Sequence, residues 1–209
     1  MKHSVSILFI FCAVFFCTSC LSLPFGKKTV DDDNLSVQEL ILAGRFAEAK
    51  NMFSTKTDIN EKDAEGNTAL HAAAKVGDAD LITYLLIKDA DSTLKNDDGD
   101  TPLLVAMKNS KYAAAHVLAE TGTALYIADA NGKTPLDLTA EYNTDEWFDA
   151  IITSKTGALV DSNGQTMVHY FVKHQLAEAV NKCIQKKVPL SVEDNNGKTP
   201  LALALANAK

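Results

Sequence analysis

A chain of 209 residues, 46% of them hydrophobic, is long enough to bury a real core and to form one or two domains. Its formal charge of −7 excludes a sequence-independent grip on nucleic acid, which needs a basic surface. Cys12, Cys17 and Cys20 crowd the N-terminus and Cys183 stands apart, so the body of the chain carries no disulfide framework.

Lys2 and His3 give a short basic start, and Val5 to Phe16 is an apolar run broken only by Ser6. That is the length of a signal-peptide core and well short of the roughly 20 residues that span a bilayer. The stretch Cys17-Thr18-Ser19-Cys20 resembles the cleavage box of a bacterial lipoprotein, although Cys17 stands where leucine is usual. The resemblance implies a signal peptide over residues 1–19 and lipidation of Cys20. A plain secretory signal cut near Ser19 or Ser22 and an uncleaved anchor are the alternatives. Residues 20–34 contain Pro24, Gly26, Lys27, Lys28 and Asp31 to Asp33 with no apolar period, which predicts a short tether.

Residues 35–62 carry two helical patterns around Ala43-Gly44 and predict an N-terminal capping unit. A phrase then recurs: Asp63-Ala64-Glu65-Gly66-Asn67-Thr68-Ala69-Leu70-His71, and Asn96-Asp97-Asp98-Gly99-Asp100-Thr101-Pro102-Leu103. It returns at Asp129 to Leu136, at Asp161 to His169 and at Asp194 to Leu201. Its glycines, Gly66, Gly99, Gly132, Gly164 and Gly197, are separated by 33, 33, 32 and 33 residues. The Asp-x-x-Gly portion is turn chemistry, and the Thr-Pro that follows caps a helix and fills its first turn. Leu85-Leu86, Leu118-Ala119, Ile151-Ile152 and Cys183-Ile184 share one phase, with Met52-Phe53 one period earlier. Equal phase predicts a continuous apolar ladder between units.

A 33-residue period carrying this phrase is similar to the ankyrin repeat. The resemblance covers about residues 35–209 and implies an all-α solenoid of helix-turn-helix units with short hairpin turns, capped at both ends. The units expected are 35–62 (cap), 63–95, 96–128, 129–160, 161–193 and a C-terminal half repeat at 194–209. The third unit is one residue short, and its connection from Thr153 to Val160 departs from the pattern. A local irregularity is expected there, with weaker coupling between the third and fourth full units.

No catalytic or metal motif emerges, and neither an enzyme activity nor a cofactor is expected. His71 and His169 occupy the motif position at which histidine satisfies turn backbone. His169 and His174 lie five residues apart, roughly 140° around a helix, and make poor partners for one metal. His116 is expected as a partly buried surface residue. Cys183 and Trp147 fall on apolar helix positions and are expected in the core. Asp97, Asp98 and Asp100 lack the further oxygen ligands of a calcium loop and are expected as a solvated tip.

In the ankyrin family, partners lie along the turn tips and the first-helix face behind them. Position by position, that implies partner contacts at Glu65, Asn67, Asp97, Asp98, Asp100, Asn131, Lys133, Asn163 and Gln165. Lys75, Lys108, Tyr142 and Lys173 follow on the first helices, with Tyr142 the aromatic anchor. The expectation is a monomeric, non-catalytic protein-binding module of the bacterial envelope, exported, held at a membrane by a lipid on Cys20, with a protein partner. Periplasmic or secreted location is the alternative address, and a stabilising envelope accessory without a specific partner the alternative role.

Overall fold

The computed structural model describes residues 35–53 and 58–207; the leader, Cys20 and the expected tether lie outside them. Among the described residues there are eleven α-helices and no strand. The odd-numbered helices form an inner row: α1 (Val37–Leu42), α3 (Ala69–Val76), α5 (Pro102–Lys108), α7 (Pro135–Tyr142), α9 (Met167–Lys173) and α11 (Pro200–Asn207). The even-numbered helices form an outer row: α2 (Phe46–Met52), α4 (Ala79–Ile87), α6 (Tyr112–Ala119), α8 (Asp145–Ile151) and α10 (Ala177–Gln185). Each inner helix packs on the next inner helix, and α4, α6, α8 and α10 stack in turn.

The recurring phrase explains the start of every inner helix after α1, which Ser36 and Glu39 cap instead. Asp63, Asp129, Asp161 and Asp194 each accept two backbone N–H groups from their own turn, and the following glycine takes φ between 71° and 77°. Thr68, Thr101, Thr134 and Thr166 then sit at the N-caps in extended backbone. Inner helices end in left-handed residues at Gly77, Ser110, Asn143 and Gln175. Only the first of these is glycine, so the sharp turn to the outer helix is imposed on Ser110 and Gln175 at about 1–2 kcal/mol each, and on Asn143, which tolerates it better.

The core ladder holds in its first position from α4 onward, while Met52 before it is half-buried. Leu85, Leu118, Ile151 and Cys183 are all 0% exposed. Its second position is buried at Ala119 and Ile152, half-buried at Leu86, and 54% exposed at Ile184, where no described outer helix follows α10. The last inner helix covers α9 with one face and leaves Leu201 and Leu205 exposed on the other. At the opposite end, buried Gln38 on α1 donates to the carbonyls of Glu61 and Asn67 at 2.9 and 3.0 Å, tying the first helix pair to the first turn phrase.

His71 shows how neighbouring units are keyed. The Thr68 N–H donates to its Nδ1 at 3.1 Å, so Nδ1 is bare and Nε2 donates to the Asp100 carbonyl of the next unit at 3.0 Å. His169 repeats the arrangement with Thr166 and the Lys198 carbonyl. Leu104 and Asp137 occupy the matching positions of the second and third units, so this bridge joins the first unit to the second and the fourth to the stub alone.

The short third unit departs from the others at one place. Outer helices α4, α6 and α10 are each followed by a left-handed residue: Asp89, Gly122 and Lys187. After α8 there is none. Ile152 is already extended, and the chain makes a 3-10 turn over Thr156–Ala158, held by Thr156 Oγ1 donating to the Ile151 carbonyl at 2.7 Å. The missing residue is the one that would have turned left-handed. Thr144 Oγ1, ahead of α8, is also buried without a hydrogen-bond partner.

The consequence reaches the tips. A Cβ built on Gly66 would meet Asp97 at 2.5 Å, one on Gly99 would meet the Ala130 nitrogen at 2.7 Å, and one on Gly164 would meet Asn195 at 2.6 Å. Gly132 has nothing within 4 Å, the same as Gly197 in the last described turn. Tips are therefore stacked everywhere except between the third and fourth full units.

Two measurements test this architecture. Gly132→Ala should carry only the left-handed strain of about 1–2 kcal/mol, whereas Gly99→Ala adds a backbone clash and should lower the urea midpoint distinctly further. Equal losses would mean that the tips are stacked alike. Burial is the largest influence on His71 and lowers its pKa below 6.5. The unfolded chain then binds the extra proton, so stability is complete above pH 6.5 and falls as the pH drops below it. Urea midpoints at pH 7.5 and 5.5 should differ, and by less in His71→Gln; an unchanged difference would show that the ring is protonated without strain.

Candidate partner-binding face

The turn tips and the C-terminal ends of the inner helices share one side of each unit. Six of the expected residues surround a hollow of about 250 Å³ over the first two units: Glu65, Asn67, Lys75, Asp98, Asp100 and Lys108. Glu65, Asp98 and Lys75 are exposed and form no ion pair among the described residues. Asp97 sits beside them, exposed, its N–H donating to the Glu65 carbonyl at 3.1 Å. This end of the face is an acidic rim with Lys75 behind it.

Asp100 does not behave as a solvated tip. It is 6% exposed, and Lys108 Nζ reaches it at 2.6 Å and Asp129 of the next unit at 2.9 Å. Two buried carboxylates from successive turns share one ammonium, a clamp between the second and third units. Burial works to raise the Asp129 pKa, but hydrogen bonds from Lys108 and from the N–H groups of Lys133 and Asn131 hold it below the usual carboxylate value. Burial works against the Lys108 charge too, and its bonds to the two aspartates raise its pKa. Asp100 and Lys108 thus hold units together. Asp129, which makes the clamp possible, was legible in the sequence only as a turn residue.

The remaining expected positions divide. Asn131, Lys133 and Asn163 are exposed on their tips, with Lys133 paired to Glu141 at 2.6 Å. Asn67 and Gln165 are half-buried between tips, bonded to Asn96 and Asp194. Tyr142 is half-buried as well, its ring stacked on Trp147 at 5.3 Å, so much of the aromatic surface expected as an anchor is already used inside the fold. Asn163, Gln165 and Lys173 line a larger cavity of about 650 Å³ between the third and fourth units.

Among the side chains weighed for chemistry, Cys183 and Trp147 are buried. Burial pushes the Cys183 thiol up to about 12, which leaves it protonated and unreactive near neutrality. His116 is exposed rather than partly buried, bonded to the Ala150 carbonyl at 3.0 Å. His169 is fixed in its turn while His174 stacks on Tyr170 at 4.2 Å. No cluster of metal-ligating side chains occurs among the described residues.

A family model described as ankyrin repeats, in three copies, matches residues 30–129 and 75–157. Among curated proteins, mouse Rabankyrin-5 is 29% identical over 184 residues, covering 85% of this chain and 16% of its own length. Dog Inversin is 29% identical over 176 residues, covering 80% and 16%. The Xenopus tropicalis Neurogenic locus notch homolog protein 1 is 28% identical over 147 residues, covering 69% and 6%. The chain thus spans about a sixth or less of these relatives. Among solved structures, a complex of a predatory endopeptidase from Bdellovibrio bacteriovorus with an immunity protein contains a similar chain. The TM-score is 0.52 at 26% identity, over 84% of this chain and 93% of that one.

The clamp gives a direct test of which expected contacts are structural. Lys108→Met should destabilise the fold by about 2–3 kcal/mol, somewhat less than the loss of a fully buried partner, since the ammonium is near water. Lys75→Met should leave the urea midpoint within about 0.5 kcal/mol of the parent. Similar losses in both would show that Asp100 and Asp129 do not depend on Lys108.

Proposed function

This chain belongs to the ankyrin-repeat family, and on that premise we propose that it is a non-catalytic module that binds a partner protein through its turn tips and inner-helix face. The observation that carries this reading is the acidic rim: Glu65, Asp97 and Asp98 are exposed together, and no described cation neutralises them. The clamp formed by Lys108 neutralises Asp100 and Asp129 where the fold buries them, and nothing comparable among the described residues meets the rim. A rim left charged suits recognition of a basic patch on a partner, where charge raises the association rate and selects the partner.

The location belongs to the same proposal. Its support is the leader sequence: a signal peptide over residues 1–19 and acylation of Cys20 would set the solenoid at a bacterial membrane on the tether of residues 20–34. The similar chain solved in a complex of an endopeptidase with an immunity protein favours an envelope enzyme as the partner, restrained by binding.

The test uses the full chain in a bacterial host with a photo-crosslinker placed at Asp98 or, on the outer row, at Glu178. A single protein crosslinked stoichiometrically from Asp98 and not from Glu178 is the expected result. Glu65→Lys with Asp98→Lys should then weaken that complex at least tenfold, about 1.4 kcal/mol, with no change in melting temperature. The same set of proteins captured from both faces would overturn the reading and favour a general envelope accessory. The mass of the mature protein beside Cys20→Ala decides the anchor: a lipid-sized increment lost in the variant is expected.

A further inference from the structure

The open interval between the third and fourth full units is a cavity of about 650 Å³, well within the range of built ligand sites, and nothing in the fold fills it. Three ties that join other units are missing there. Tip N–H groups bond back to the preceding tip from Asp97 to Glu65 and from Asn195 to Asn163, at 3.1 and 2.9 Å, and the second and third tips touch at Gly99 and Ala130 without that bond. At the matching place, neither the Asn131 carbonyl nor the Ser162 N–H has a hydrogen-bond partner among the described residues. Lys62 and Lys95 each reach one unit forward to a backbone carbonyl at 2.7 Å, and Ala128 ends that row. The histidine bridge is absent, because Asp137 replaces it.

The helices at this interval are nonetheless pinned. Asp149 on α8 takes Lys182 of α10 and Lys186 just after it at 3.1 and 2.9 Å, and Phe148 packs edge-on against Phe171 at 6.4 Å. The result is a wedge, closed at the outer row and open at the tips.

Charge inside the wedge says what fits it. Asp137 lies half-buried in its wall. Burial acts to raise its pKa, yet hydrogen bonds from Thr134 and the Tyr170 hydroxyl bring it below the usual value, so it is ionised at neutral pH. All its donors are neutral. Neither Asp137 nor Asp161, which also lines the cavity, takes part in an ion pair among the described residues. Lys173 and His174 line the cavity too; neither forms an ion pair with the carboxylates, although His174 helps to hold the Asp137 pKa down. Beside the carboxylates stands Val160, 49% exposed.

From this juxtaposition we propose that the cleft between the third and fourth units receives a protruding loop of the partner protein and seats one arginine or lysine of that loop against Asp137. The loop's main chain takes up the unpaired Asn131 carbonyl and Ser162 N–H, as a strand does at an open edge. The methylene stem of the basic side chain lies along Val160, and its charge meets the carboxylates in charge-assisted hydrogen bonds. The inference rests on the protein-binding reading above and adds the place and the chemistry of the anchor.

The experiment titrates the full chain, 15N-labelled, with the blocked peptide Ac-Ala-Val-Arg-Val-Ala-amide and with the same peptide carrying uncharged citrulline for arginine. Shifts confined to amides around Asn131, Asp137, Ser162 and Tyr170, at least tenfold weaker in affinity with citrulline, are expected. Asp137→Asn, checked for an unchanged melting temperature, should lose the arginine preference. Equal binding of the two peptides, no binding, or shifts centred on Asp98 would overturn the proposal. The peptide pair reads the wild-type protein, so a poorly folding variant does not blunt the test. A crosslinked partner that binds Asp137→Asn at full affinity would remove the cleft's role while leaving the protein-binding reading standing.

Discussion

Two helices of six to nine residues have more apolar surface than they can bury against each other. Each unit therefore needs a neighbour at a fixed interval, and the rest of the structure follows from that need. Leu85 is dry because Leu118 stands one period on, and Leu118 because of Ile151. Small residues such as Ala72, Ala73 and Ala74 on α3 let the inner row approach closely. The outer row carries the bulk.

Apolar stacking is non-directional and would tolerate slippage. Buried polar ties supply the register. His71 can donate to Asp100 only when the next turn sits at the correct height, and Lys108 satisfies Asp100 and Asp129 only when the two turns are one period apart. A slip of one residue leaves a buried carboxylate or carbonyl unpaired at a penalty of about 1–3 kcal/mol for each group, more for the charges. These ties sit beside the expected recognition surface, so the same side of the molecule sets spacing and presents contacts.

Much of this was legible in the residues. The glycine interval announced the units, the Asp-x-x-Gly-x-Thr phrase announced the turns and caps, and the common phase of Leu85, Leu118, Ile151 and Cys183 announced the core. Such features are local or strictly periodic, and a sequence displays them. The fate of Asp100, Lys108 and Tyr142 was not legible, because each depends on a residue at a distance the pattern does not mark: Asp129 for the first two, Trp147 for the third. Ser110 and Gln175 gave no sign of their left-handed backbone, since the unit dictates that conformation and tolerates the side chain. The missing residue of the third unit pointed to an irregularity near Thr153 to Val160. Where its effect would surface, at Gly132 and the tips, takes three dimensions to see.

That displacement of cause from effect says something about how a stacked fold varies. A residue lost after α8 is taken up by a tight turn at its own site, where Thr156 restores the hydrogen bonding. What is not absorbed shows at the far side. The outer row stays fastened through Asp149, while the tip at Gly132 no longer touches the next one. A single deletion acts as a lever, with its fulcrum among the outer helices and its opening at the rim. A chain of near-identical units can thus acquire one distinctive cleft while its tips keep the residues common to every unit.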